Sequence, residues 1–113
     1  IEDIIQRGLY EKVLLVITGE FGRTPKINPK GGRDHWGNLC TLAFAGGGLK
    51  MGQVIGASNK TVSEPARDLV TSNMLLGTVM HTLMNTSTLR LRTDLPDDVR
   101  GVISNSRPIP QLV

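Results

Sequence analysis

Residues 13–17 read Val-Leu-Leu-Val-Ile, five apolar positions without a polar break, and Thr18-Gly19 close the run. Three of the five are β-branched, which favours a strand. Apolar residues on both faces of a strand predict cover on both sides, as in the parallel sheet of an α/β protein. A second run, Leu39 to Ala45 (LCTLAFA), has the same character and ends in the turn Gly46-Gly47-Gly48. Gly52-Gln53-Val54-Ile55-Gly56 is a candidate for a short returning strand. The expected fold class is therefore α/β with a mostly parallel sheet. Two or three strands make a marginal sheet. Docking on strands of a missing N-terminal part, or self-association, is expected to complete it.

Outside these runs, residues 2–9 can form a short helix with Ile4, Ile5 and Leu9 on one side. Residues 57–70 read as loop, with Pro65 as a breaker. Thr71 or Ser72 can cap a helix running to about Met84, where Leu75, Leu76, Val79, Met80 and Leu83 share a face. A last short helix can start at Pro96, with Asp97 and Asp98 in its first turn, and Arg107-Pro108-Ile109-Pro110 is extended. At 113 residues the chain holds one domain or part of one. Its opening, Ile1-Glu2-Asp3, predicts a partial domain, the C-terminal portion of a larger one. No apolar run is long enough for a transmembrane helix, so no membrane segment is expected. The single Cys40 excludes an internal disulfide and a cysteine-based zinc cluster, and is expected to be a small buried hydrophobe.

Residues 19–38 (GEFGRTPKINPKGGRDHWGN) carry the chemistry. Five glycines and two prolines argue against helix or strand. A polar loop of this length inside a domain is usually functional or disordered. It follows the end of a buried strand, where open α/β sheets place their ligands. Glu20 stands directly after the strand, and Asp34-His35 stand at the far end of the loop. Carboxylate with imidazole is a donor set for zinc, manganese or iron. Arg23, Lys26, Lys30 and Arg33 add four positive charges, and an arginine fork suits phosphate or sulfate oxygens. Structural roles compete with each of these. Glu20 could pair with Arg23, His35 could be a partly buried structural histidine, and the cations could form a solvated face. His81 points away from the apolar stripe of its helix and is expected to be structural or merely exposed.

The glycine triplet does not make a nucleotide site. A dinucleotide fingerprint from Gly46 needs glycine where Met51 stands, and a phosphate loop from Gly47 needs Lys where Gln53 stands. Asn59-Lys60-Thr61 and Asn85-Thr86-Ser87 match the glycosylation acceptor pattern, which is short enough to arise by chance. A net charge of +3 is a weak signal for a polyanion, and Phe21 and Trp36 are the only aromatics in the loop. Nucleic acid is therefore not an expected partner.

Gly19-Glu20-Phe21-Gly22-Arg23-Thr24-Pro25, with Asn28 and Gly32-Arg33-Asp34-His35-Trp36, resembles the carboxy-terminal part of the uncharacterised family 1501, a domain of unknown function related distantly to alkaline phosphatases and sulfatases. The resemblance continues through Gly46-Gly47-Gly48 and Gly52 to Gly56 and covers most of residues 8–84. It implies part of a three-layer α/β/α sandwich of alkaline-phosphatase-like type. It implies metal ligands at Glu20 and His35, with Asp34, holding a divalent ion such as zinc or manganese, and an anion-binding Arg23 that stabilises the transition state. Lys26 and Arg33 would join Arg23 in substrate binding. Phe21 stands where the superfamily often has histidine, which reduces the ligand set. The resemblance also suggests an exported protein.

Two functions follow as expectations. The first is a fragment of a metal-dependent hydrolase of phosphate or sulfate esters, inactive alone, with a small anionic ester as substrate. The second is a non-catalytic module of the same fold that binds an anionic ligand such as a sulfated glycan.

Overall fold

The computed structural model describes residues 1–113. In chain order the elements are α1 (Glu2–Gln6), β1 (Leu14–Thr18), β2 (Gly22–Arg23), β3 (His35–Trp36), β4 (Leu42–Gly46), β5 (Ala57–Ser58), β6 (Pro65–Arg67), α2 (Ser72–Leu83), α3 (Thr86–Leu89) and α4 (Asp97–Asn105). The chain divides into two units. One comprises Ile1–Leu15, Ala45–Gln53 and Val70–Val113, and the other Val16–Phe44 with Val54–Leu69.

The sheets correct the expected α/β sandwich. There are three, each of two strands: β1 with β4, β2 with β3, and β5 with β6. The second and third are antiparallel. In the first, Cys40 Sγ, just before β4, donates to the Gly19 carbonyl just after β1. At the other end Gly46 closes on the carbonyls of Val13 and Tyr10. β1 and β4 therefore also run in opposite directions. No parallel pair forms. The apolar run of β1 is only half covered, and Ile17 is 57% exposed. An uninterrupted apolar run reports that both faces are apolar; it does not report that this chain supplies the cover. Gly52–Gly56 is not a strand, and the 57–70 segment holds the β5–β6 hairpin instead.

The first unit contains every buried side chain of the molecule's apolar core: Ile103, Ile109 and Leu112. Thr71 caps α2 as expected, its hydroxyl accepting from Met74 N at 3.2 Å. The buried face of α2, however, is Gly77-Thr78 and not the leucine stripe; Leu83 is 65% exposed. The cause is the C-terminal segment, which crosses α2 at its smallest residue. A Cβ on Gly77 would stand 2.5 Å from the Arg107 carbonyl carbon. Beside it, Thr78 Oγ1 donates to the Met74 carbonyl at 2.7 Å and accepts from Ile109 N at 2.9 Å. Lys50 N donates to the Leu112 carbonyl and Gln53 Nε2 to that of Gln111, fixing the segment's end. The Gly46-Gly47-Gly48 turn also lies here, with φ of +79°, +68° and +72°. Three consecutive left-handed residues favour glycine at each position.

The second unit has no fully buried residue. Cys40, expected to be buried, is exposed. The unit is held by turns and by side-chain bonds to backbone.

Candidate functional site

The loop expected from composition at residues 19–38 contains a tight hairpin. β2 and β3 pair Gly22 with Trp36 and Arg23 with His35. Thr24 N donates to the Asp34 carbonyl at 3.0 Å and carries the ladder one residue further. Glycine is required at position 22, where any Cβ would collide with the Leu39 carbonyl. The hairpin's end is organised by Asn28. Its Oδ1 accepts from Lys30 N and Gly32 N, both at 3.0 Å, and its Nδ2 donates to Asp34 Oδ1 at 2.8 Å. Thr24 Oγ1 accepts from Asp34 N at 3.0 Å and donates to the Lys26 carbonyl at 2.9 Å. The bonds to Lys26, Lys30 and Gly32 form because short asparagine and threonine side chains reach backbone two to four residues away, and the strand pairing brings Asp34 to both.

Side chains alternate across a strand, so the hairpin sorts the candidate residues onto two faces. One face carries Phe21, Arg23 and His35. The His35 ring stacks on Phe21 with centroids 3.9 Å apart and an interplanar angle of 28°. The Arg23 guanidinium carbon lies 5.4 Å from the centre of the same Phe21 ring, within cation–π range. Arg23 Nη1 also donates to the Arg33 carbonyl at 3.3 Å. The other face carries Thr24, Lys26, Asp34 and Trp36, which line a cleft of about 660 Å³ together with Pro25, Ile27, Asn28 and Pro29.

The cations have unequal roles. Arg33 Nη1 donates to the carbonyls of Thr24 at 2.8 Å and Pro25 at 2.6 Å, which makes it a brace of the hairpin. Arg23 makes no ion pair with Glu20. The chain's ion pairs fall at Asp3–Arg7, Arg67–Asp68, Arg92–Asp94 and Asp97–Arg100, all outside the loop. Arg23, Lys26 and Lys30 therefore keep their charge unpaired by carboxylates. Nothing in the local sequence marks Phe21 as part of a site. Its role as the shared platform of Arg23 and His35 depends on strand pairing, which no local spacing encodes.

Glu20, Asp34 and His35 are not brought together as a metal site. No group of three His, Cys, Asp or Glu side chains in the chain is placed to hold an ion. Asp34 lines the cleft while its neighbour His35 stacks on Phe21. One oxygen of Asp34 is taken by Asn28, and Glu20 is exposed. These three donors, as the hairpin holds them, do not fit a resident zinc or manganese, which takes at least three protein ligands in most sites. His81 is exposed on α2. Of the two acceptor patterns, Asn59 is engaged with Ser63 through both side-chain atoms, and Asn85 caps α3 by accepting from Thr88 N.

No helix is long and apolar enough to cross a membrane. No curated protein and no solved structure matches the sequence. A family model does, over residues 1–113, and the chain belongs to the family described as protein of unknown function (DUF1501).

Proposed function

We propose that the 19–38 hairpin is an anion-recognition element, and that Arg23 grips the phosphate or sulfate group of an ester. The observation that carries this is the Arg23–Phe21–His35 arrangement. A guanidinium held against an aromatic ring, with no carboxylate partner, has lost part of its rotamer freedom before any ligand arrives. That lowers the entropy cost of forming two parallel hydrogen bonds to an oxyanion. Lys26 and Lys30 add long-range attraction that salt weakens. The resemblance of GEFGRTP and GRDHW to the wider alkaline-phosphatase and sulfatase group favours ester-linked phosphate or sulfate over a free carboxylate.

The chain by itself is not a catalyst in this reading. Ester hydrolysis with a divalent metal would need a donor set that these 113 residues do not assemble. Recognition without turnover also accommodates a sulfated glycan, in which sulfate groups repeat along a chain.

The test is calorimetric titration of the chain with a simple aryl sulfate and the matching aryl phosphate, in low and moderate salt. Saturable binding of at least one, lost on Arg23→Ala and retained on Lys12→Ala outside the loop, is expected. Binding unaltered by Arg23→Ala would refute the assignment.

A further inference from the structure

The cleft on the opposite side of the hairpin from Arg23 shares only Lys26 with that anion grip, and the rest of its lining has a different chemistry. We infer that it is a second binding site, and that it takes a pyranose sugar carrying one negative substituent. Four observations converge. The volume of about 660 Å³ falls within the range of small-molecule sites. Its apolar lining comes from Trp36, Pro25, Pro29 and Ile27, residues whose carbon surface suits the C–H faces of a sugar ring. Asp34 contributes a carboxylate of which one oxygen is occupied by Asn28. Its other oxygen has acceptor capacity and calls for O–H or N–H donors. Lys26 lines the same cleft with an ammonium that pairs with no carboxylate.

Trp36 adds a further point. Its Nε1–H is buried and has no hydrogen-bond partner, an arrangement that costs stability and is uncommon. A hydroxyl-rich ligand, or a water it retains, supplies the missing acceptor after a small shift of the lining. A wholly apolar ligand leaves both this donor and Asp34 unanswered. An inorganic anion leaves the apolar walls uncovered and meets the Asp34 charge. A sugar with one negative group satisfies all three demands: ring faces on the indole and prolines, hydroxyls on Asp34 and Trp36, and the negative group on Lys26.

Trp36 is the single tryptophan of the chain, so its emission reports on the cleft directly. The experiment titrates the chain with glucuronate, glucose 6-sulfate, glucose and inorganic sulfate, followed by Trp36 emission and by calorimetry. At least one charged sugar is expected to bind saturably, with glucose weaker by roughly tenfold, the weight of one charge-assisted hydrogen bond. Inorganic sulfate is expected to leave the emission unchanged. Lys26→Ala should remove the preference of charged over neutral sugar. Ile27→Ser, at an exposed position outside the core, should weaken sugar binding severalfold without unfolding the chain. Arg23→Ala should leave the cleft's affinity intact, which separates this site from the anion grip. No saturable response to either charged sugar, by emission or by heat, would overturn the inference. So would inorganic sulfate changing the Trp36 emission as the sugars do, or Lys26→Ala leaving the sugars' ranking unchanged.

Discussion

The two units of the chain are stabilised by different physics. In the first, Ile103, Ile109 and Leu112 are buried and the C-terminal segment lies against Gly77-Thr78 of α2. In the second, no residue is buried, and order comes from side chains that answer backbone groups: Asn28, Thr24 and Arg33 in one hairpin, Asn59 in the other. Burial contributes in proportion to apolar area and is cooperative across a core. Exposed hydrogen bonds each contribute about 1 kcal/mol or less, because water competes for the same groups. The candidate chemistry lies wholly in the second unit, where local opening is least costly.

The largest expected effect breaks the first unit. Ile109→Ala should destabilise it by about 2–5 kcal/mol, the usual range for an emptied buried position. Gly77→Ala should cost about 1–3 kcal/mol by forcing Arg107 away. Urea unfolding followed by circular dichroism measures both, and a change under half a kcal/mol would contradict the packing described.

A smaller effect is expected in the second unit. Asn28→Ala removes an acceptor shared by Lys30 N and Gly32 N and the donor to Asp34. It should cost about 1 kcal/mol locally. Hydrogen exchange should quicken at Lys30 and Gly32 while Ile109 N keeps its protection. Loss of protection in both units would mean that they do not differ as described.

Phe21→Leu sharpens the comparison on the functional side. Removing the platform should leave stability almost unchanged and weaken anion binding about two- to fivefold, the weight of an exposed cation–π contact. Phe21→Tyr should restore the affinity. The smallest effect is a pH dependence at Asp94. Its hydrogen bond from Arg92, helped by a backbone hydrogen bond, lowers its pKa from an ordinary 3.8 to about 2. The folded pKa is the depressed one, so this contribution is present above about pH 4 and is lost as pH falls through about 2. Both side chains are more than half exposed, at 52% and 63%, so water screens the pair and Arg92→Gln should barely move the acid-unfolding midpoint.

Much of the chain was legible in its sequence, and the failures have definite causes. Thr71 as the cap of α2, the start of α4 after Pro96 and the Gly46–Gly48 turn follow from local chemistry, and local chemistry decides them in the structure. The parallel sheet does not form. Val13 to Ile17 and Leu39 to Ala45 record that both faces of a strand are apolar, but strand direction is decided by which ends meet. The leucine stripe of α2 misleads for a related reason, since close approach of Arg107 selects Gly77 over the largest apolar face. In the loop, residue types alone single out Glu20, Arg23, Lys26, Arg33, Asp34 and His35. Their separation onto two faces depends on the pairing of Arg23 with His35 across the hairpin.

The most direct measurement is amide chemical-shift mapping of the chain as inorganic sulfate is added at constant ionic strength. Shifts concentrated at Phe21, Arg23 and His35, saturating together and absent in Arg23→Ala, are expected. Shifts spread evenly over Arg7, Arg67, Arg92 and the loop, without saturation, would show a diffuse cationic surface and contradict an anion site on this hairpin.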